Sequence, residues 1–403
     1  MKRGLLNGLF GLLGRDGTGG SASLAVLAEA LLSGRGQVSG FVLARQLFDG
    51  YAVLPPDGRL GFLKNLASNF GADPVRLESA ITAYRSRPGA RTALVLHTAA
   101  EARRQELFRR LNRAPGGTRE LVRMREDVLR ALGRAPELGV VDEDFVHLFS
   151  SWFNPGFLAL RRIDWSTPAQ ILEKIIRYEA VHAITSWDDL RRRLDPPDRR
   201  CFAFFHPALE DEPLIFVEVA LADEIPAAIA PLLAEGRRPI PLRRATTAVF
   251  YSTSNCQEGL KGISFGHFLL KRVAEELKAD VPSLRTFVTL SPVAGFPTWL
   301  GPGREHLSRA ALTAAVAEYL LTAADASGRP ADPVARFHLG NGARLERINW
   351  MGDPSPHGLK TARGFMANYL YDLSRAERNH ELFENRGERV ASHAVKRLLR
   401  RPR

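Results

Sequence analysis

The chain changes texture once, near Asn154-Pro155-Gly156, and that change limits its possible folds more than any other feature. Before it, the sequence reads as helical. The stretch from Arg91 to Arg113 carries Ala, Leu, Glu and Arg with little Gly or Pro, and Leu121, Val128, Leu129 and Leu132 recur at helical spacing. Ala114-Pro115-Gly116-Gly117 separates these two helices as an antiparallel pair. Asp73-Pro74 opens a further helix through Tyr84, with proline in its first turn. No chemistry is visible in this half, so residues 1–155 are read as a helical domain for interaction or oligomerisation.

After the boundary, an amphipathic helix is predicted from about Pro168 to Arg193, and then strands begin. Cys201–His206 and Leu214–Leu221 flank Asp211-Glu212-Pro213 and read as an antiparallel hairpin. A helix is predicted over Pro226–Gly236, a strand over Thr246–Ser252, a helix over Ser264–Lys278, a strand over Arg285–Leu290 and a long helix over about Arg304–Ala324. Strands alternating with helices indicate a layered α/β domain over residues 156–403.

Composition narrows the function. The chain of 403 residues has room for two or three domains, and its 45% hydrophobic and 25% charged content is globular. No apolar run reaches the ~18 residues of a membrane span, so no membrane partner is expected. Met1-Lys2-Arg3 and the apolar stretch after it resemble a signal peptide faintly, without a small-residue cleavage site. The two cysteines, Cys201 and Cys256, exclude a disulfide framework and a Cys-rich zinc site, and they suit a reducing cytosol. The net charge of +12 raises nucleic-acid binding, but the runs Arg191–Arg193 and Arg397–Arg403 are short and not interleaved with stacking aromatics. A basic surface serves an anionic small substrate equally well, and no nucleic-acid partner is expected.

Between the predicted strand at Thr246–Ser252 and the next helix lies Gln257-Glu258-Gly259-Leu260-Lys261-Gly262-Ile263-Ser264-Phe265-Gly266-His267. Glycines allow a tight turn and close approach to a ligand. The following helix would offer its N-terminal amides and dipole to a pyrophosphate. Ser264 could cap that helix or donate to a phosphate. The glycine spacing is neither the dinucleotide fingerprint nor the nucleotide P-loop, and an ordinary strand–turn–helix link explains it about as well. The turn is closer to the coenzyme A pyrophosphate loop of acetyltransferases. Ser291 falls at the end of a strand, in Leu290-Ser291-Pro292, with no Gly-x-Ser-x-Gly elbow around it. Alone, such a Ser-Pro is most simply a strand terminator. His338 falls in Phe337-His338-Leu339-Gly340-Asn341-Gly342-Ala343, an irregular, turn-rich segment where a histidine is more often structural.

Taken together, these blocks resemble malonyl-CoA decarboxylase. The resemblance rests on Val249-Phe250-Tyr251-Ser252-Thr253-Ser254, the glycine turn, Gly266–Val273, Leu290–Phe296, Phe337–Ala343, Arg347-Ile348-Asn349-Trp350-Met351 and Gly364–Tyr369, all in family order. Tyr178-Glu179-Ala180-Val181-His182 and Arg199-Arg200-Cys201 also fit. It spans about residues 150–397 strongly and the helical N-terminus loosely. The resemblance implies an α+β fold: an all-α N-terminal domain followed by an acetyltransferase-like (GNAT-type) mixed α/β catalytic domain. It implies conversion of malonyl-CoA to acetyl-CoA and CO2, with Ser291 and His338 as the catalytic pair. It implies substrate binding by Lys261, Gly262, Ile263, Ser264, Phe265, Gly266 and His267, together with Ser291 and His338 themselves. No metal or separate cofactor is expected, because the thioester is itself the electron sink and coenzyme A is part of the substrate. Homo-oligomers, tetramers or dimers, assembled partly through the helical domain are implied. Eukaryotic members carry an acidic residue where this chain has Ser264 and a small polar one at His267, so the acid that would polarise the pair is unaccounted for. The oxyanion donors are also open, with Tyr371 and Asn341 as candidates. The ending Arg401-Pro402-Arg403 is not a peroxisomal address and suits a bacterial-type cytoplasmic enzyme. The rival readings are a coenzyme A-dependent N-acyltransferase and a non-catalytic acyl-CoA-binding regulator.

Overall fold

Asp73 accepts hydrogen bonds from the backbone N–H groups of Val75 and Arg76 at 3.0 Å, and a helix starts at Pro74 as the sequence predicts. The computed structural model describes residues 17–33, 36–263, 265, 269–304 and 306–399. It divides into two compact units. The first comprises residues 1–157 with two short excursions, 207–210 and 257–264, from the later sequence. The second comprises the rest.

The first unit is helical: α1 Gly17–Ser33, α2 Gln37–Val53, α3 Pro56–Asn69, α4 Pro74–Ser86, α5 Ala90–Ala100, α6 Arg103–Asn112, α7 Gly117–Ala131 and α8 Gly139–Trp152. The single helix expected from Arg91 to Arg113 is two. Glu101 and Ala102 are extended, and the N–H groups of Arg103 and Arg104 turn to the carbonyls of Gly71 and Phe70 at 3.1 and 2.9 Å. The break lets α6 bury Leu107, Phe108 and Leu111, with Phe108 stacked on Phe145 at 4.2 Å.

The second unit is built on an eight-stranded mixed sheet, counted among the described residues: β1 Ala159–Ile163, β2 Arg199–Phe205, β3 Pro213–Ala222, β4 Thr247–Asn255, β5 Thr286–Thr289, β6 Ser291–Pro292, β7 Arg344–Asn349 and β8 Met366–Leu370. The order is β1-β2-β3-β4-β5-β8-β6, with β7 also on β8. Strands β1 to β4 are antiparallel, and β4 and β5 are parallel. This is the mixed sheet-and-helix layout the resemblance implied. The predicted hairpin is β2–β3.

Helices α9 Ala169–Tyr178 and α10 Trp187–Leu194 pack Ile171, Leu172, Ile175 and Leu190 onto Cys201, Ala203, Phe205 and Phe216 of the sheet. They were expected as one helix from Pro168 to Arg193. Buried Glu179 ends the first of them. It accepts from the N–H groups of Val181 and His182 at 2.9 and 2.7 Å and from the Ser252 hydroxyl at 2.7 Å. A straight helix would forfeit those bonds and leave a carboxylate buried without partners, at a cost of several kcal/mol.

The helix expected over Pro226–Gly236 shrinks to one turn, α11 Ala230–Leu233. Long-range bonds claim its flanks. Arg347 takes the carbonyls of Ile225 and Pro226, and Arg237 grips Asp198 through two bonds of 2.7 and 2.8 Å. Helix α12, Leu269–Asp280, follows the glycine turn, and α13, Phe296–Leu300, follows Ser291. The long helix predicted from Arg304 begins later, as α14 Arg309–Thr322, where the Ser308 side chain caps it. Among the described residues no helix is long and apolar enough to cross a membrane.

Candidate functional site

Strands β4 and β5 pair over four positions, from Thr247↔Thr286 to Phe250↔Thr289, and then part. Strand β4 runs on to Asn255, whereas Ser291 pairs instead with Ala367 of β8. Tyr251 is the extra residue of a bulge, because Glu218 faces Ser252 while Val219 faces Phe250. A bulge at that point adds twist and turns β4 away from its neighbour. Asn368, fully buried, secures the other side by donating to the Thr289 carbonyl at 2.8 Å.

His338 is brought to Ser291 by a helix, not by an irregular loop. Asp332-Pro333 starts α15, Pro333–Gly340, and His338 lies in its last turn. This corrects the sequence reading of that segment. The signal in the sequence is Asp332-Pro333, the same Asp-Pro pair that opens α4. Gly342, at φ +81°, ends the helix, and a Cβ there would lie 2.1 Å from the Ala376 carbonyl. The Asn341 amide donates back to the Phe337 carbonyl at 2.7 Å, a bond that caps the helix.

The Ser291 hydroxyl and His338 Nε2 are 3.1 Å apart. His338 Nδ1 faces the Tyr371 hydroxyl at 2.9 Å. Tyr369 stacks on the imidazole with ring centroids 4.8 Å apart. The backbone N–H of Tyr371 is anchored to the Phe287 carbonyl at 2.8 Å, so β5 fixes the tyrosine behind the histidine. Tyr371, a candidate oxyanion donor in the sequence, is therefore engaged with the imidazole. No sequence signal pointed to that role, because 33 residues separate it from His338.

Burial alone pushes the His338 pKa down to about 3, and the ring is neutral at physiological pH. A buried neutral histidine binds fewer protons than its unfolded counterpart once the pH drops below 6.5. Stability conferred by the neutral ring is therefore lost as pH falls from about 6.5 towards 3. The loss amounts to about 2 kcal/mol near pH 5. His182, pushed down to about 4 by burial, acts in the same direction. Urea denaturation near pH 7.5 and pH 5 is expected to show this loss, with His338→Asn removing its share. Equal stability at both pH values would mean that the imidazoles take up protons in the folded state.

A third residue joins the two elements. Asp332 is 1% exposed. One carboxylate oxygen accepts from the Ala335 N–H at 2.7 Å, capping the helix that bears His338. The other accepts from the Gly295 N–H at 3.3 Å, in the loop after Ser291. Burial raises the Asp332 pKa, and bonds from Ala335, Gly295, Val334 and Tyr319 oppose that rise. Sequence reading missed this residue.

The glycine turn lies in the first unit, and its described part is Gln257–Ile263. Lys261 and Gly262 are exposed, with Gly262 at φ +80°, and Ile263 is buried. Phe265 is buried and belongs to the second unit. Ser264, Gly266 and His267 lie outside the described residues. Gly259 is glycine for a packing reason, since a Cβ there would lie 2.0 Å from the Val122 carbonyl of α7.

Comparison with known proteins agrees across the chain. Residues 70–153 match the family model of the malonyl-CoA decarboxylase N-terminal domain, and residues 156–314 and 303–403 match that of the C-terminal domain. The chain is 34% identical over 376 residues to the mitochondrial malonyl-CoA decarboxylase of Anser anser anser, covering 78% of this chain and 74% of that protein. The crystal structure of malonyl-CoA decarboxylase from Rhodopseudomonas palustris is similar at a TM-score of 0.89 and 54% identity, over 94% of this chain and 99% of that one. The enzyme from Agrobacterium vitis gives 0.88 and 52%, over 93% and 99%.

Proposed function

The chain belongs to the malonyl-CoA decarboxylase family, and on that premise we propose that it splits malonyl-CoA into acetyl-CoA and CO2 through a thioester enolate handled by Ser291 and His338. The observation that carries the reading is the buried line Ser291–His338–Tyr371, with contacts of 3.1 and 2.9 Å.

The chemistry follows from charge. Loss of CO2 from the malonyl carboxylate leaves an enolate, which needs one proton on carbon to become acetyl-CoA. Before substrate binds, the His338 imidazole is neutral. A substrate carboxylate brought against it favours the imidazolium and raises its pKa, so substrate binding loads the proton. The charged ring donates through Nδ1 to the Tyr371 oxygen and through Nε2 to the Ser291 oxygen. The Ser291 hydroxyl binds the carboxylate. Once the C–C bond breaks, it gives its proton to the carbon and takes the Nε2 proton in exchange. The enolate and imidazolium charges cancel, and His338 returns to neutral. Tyr371 thus lies behind the histidine, where a polarising acid would act, and it accepts a hydrogen bond from Nδ1 without becoming charged itself.

Malonyl-CoA binding through Lys261 to His267 completes the reading, so that attachment at the coenzyme end positions the reacting end. Incubation with malonyl-CoA should release CO2 and acetyl-CoA in equal amounts without an acceptor. No turnover by folded protein rejects the proposal, and turnover only with an added amine selects an acyltransferase. The two cysteines, buried and unpaired, suit the cytoplasm.

The reading extends to a homo-oligomer, a tetramer, assembled through the helical region. Val75 and Tyr84 on α4 and Leu94 and Val95 on α5 are exposed apolar groups, and Leu94 is 64% exposed. A second copy would cover them. Leu94→Glu combined with Val95→Glu is expected to lower the mass seen by light scattering, and an unchanged mass removes this hairpin from the interface.

A further inference from the structure

We infer that Arg125, on helix α7, is a positioning residue for the coenzyme-binding turn, so that the helical unit contributes to substrate affinity as well as to assembly. The inference rests on the reading that the turn holds coenzyme A.

Arg125 is 2% exposed. Its Nε donates to Asp142 at 2.7 Å, and its Nη1 donates to the carbonyls of both Gly259 and Lys261 at 2.9 Å. Burying a guanidinium costs several kcal/mol unless its donors are satisfied, and here two of the three acceptors belong to the backbone of the turn. Arg125 therefore fixes the path of the turn whatever its side chains are. Two neighbouring contacts hold the same edge. Arg130 pairs with Glu258 at 2.9 Å, and Gly259 lies against the Val122 carbonyl. Helix α7 and residues 257–264 belong to one compact unit.

The consequence for a ligand comes from peptide geometry. Among the described residues no peptide bond is cis, so each N–H points opposite to the carbonyl of its own peptide. With the Lys261 carbonyl drawn in to Arg125, the Gly262 N–H is turned outward. Gly262 is exposed, its φ of +80° suits glycine, and nothing lies within 4 Å of where a Cβ would be. An outward amide on an exposed glycine beside Lys261 is a place for a phosphate oxygen. The Leu260 N–H, in the other peptide, is already used by the Gln257 carbonyl at 3.0 Å. Arg125 thus aims one amide at the ligand and keeps its own charge paired with Asp142.

Free coenzyme A is the probe, measured by calorimetry on the full chain. Arg125→Lys keeps the positive charge but cannot reach Asp142 and both carbonyls together. It is expected to weaken coenzyme A binding about tenfold and to raise KM for malonyl-CoA by a similar factor, with kcat within about threefold of wild type. A purely structural role would lower the melting temperature and leave Kd and KM unmoved, and that result overturns the inference. If Arg125→Lys fails to fold, Asp142→Asn, which keeps an acceptor for Nε and removes its charge, should weaken binding about two- to threefold, and unchanged binding there also overturns it. Lys261→Glu separates the two layers. If it leaves coenzyme A affinity unchanged, the turn is not the coenzyme site and the underlying reading fails. If it weakens binding while Arg125→Lys does not, the turn stands and the role of Arg125 falls.

Discussion

His338→Asn is expected to lower kcat by about 10²–10⁴-fold, the usual worth of a positioned general acid. Ser291→Ala should cost a comparable factor, because in the proposed exchange the serine proton is the one that reaches carbon. Ser291 sits 3.1 Å from Nε2, and neither side chain belongs to the turn assigned to the coenzyme. KM should therefore rise by far less than kcat falls in either variant, the rise reflecting only the lost contact with the carboxylate. The double variant should be no worse than about twofold below the weaker single one, since the two groups act as a unit. Steady-state kinetics on variants with wild-type circular dichroism would check this. Near-wild-type rates in both single variants remove the pair from the mechanism, and additive losses would mean that they act in separate steps.

Much of the fold was legible because the signals were local. Asp73-Pro74 is a cap and a first-turn proline in adjacent residues, and the hairpin at Asp211-Glu212-Pro213 is a turn between two apolar runs. The helices that break or shorten share one cause, which is bonds made far along the chain. Glu179 ends a helix because Ser252, on a strand 73 residues later, offers it a hydroxyl. The break at Glu101-Ala102 exists because Phe70 and Gly71 present free carbonyls to Arg103 and Arg104. The turn at Ala230–Leu233 is short because Arg347 and Asp198 hold its flanks. Periodicity and propensity carry no record of such partners.

The candidate site divides in the same way. Ser291 and His338 were singled out through a family pattern, and local chemistry favoured a strand terminator and a structural histidine. Their approach to 3.1 Å depends on β5 parting from β4 and on the helix that Asp332-Pro333 begins. The glycines of the turn were grouped as one device, yet they do different things. Gly259 makes room for a helix of the first unit, and Gly262 adopts a left-handed conformation in the open. The sequence could not separate these uses, because both demand the absence of a Cβ.

Asp332→Ala should be the most damaging change outside the reacting pair. It removes the cap of the helix bearing His338, worth about 1 kcal/mol, and strands the Gly295 N–H, at about 1–3 kcal/mol. A loss of about 3 kcal/mol should lower the melting temperature by roughly 3–4 °C for a chain of 403 residues, whose unfolding entropy is about 0.85 kcal/mol per degree. Asp332→Asn discriminates between the two jobs. One amide oxygen can serve the cap or Gly295 but not both, and the NH2 that replaces the second oxygen faces a donor at the other site. If Asp332 only stabilises α15, Asn should recover most of the stability and all of kcat. If it sets the distance between Ser291 and His338, Asn should recover stability in part while kcat stays about tenfold or more below wild type with KM unchanged, as expected when a reacting pair is displaced by a fraction of an ångström. The pair hangs on two elements that meet at one buried carboxylate, so the second outcome is the one expected, and full recovery of kcat by Asn would reduce Asp332 to a helix cap.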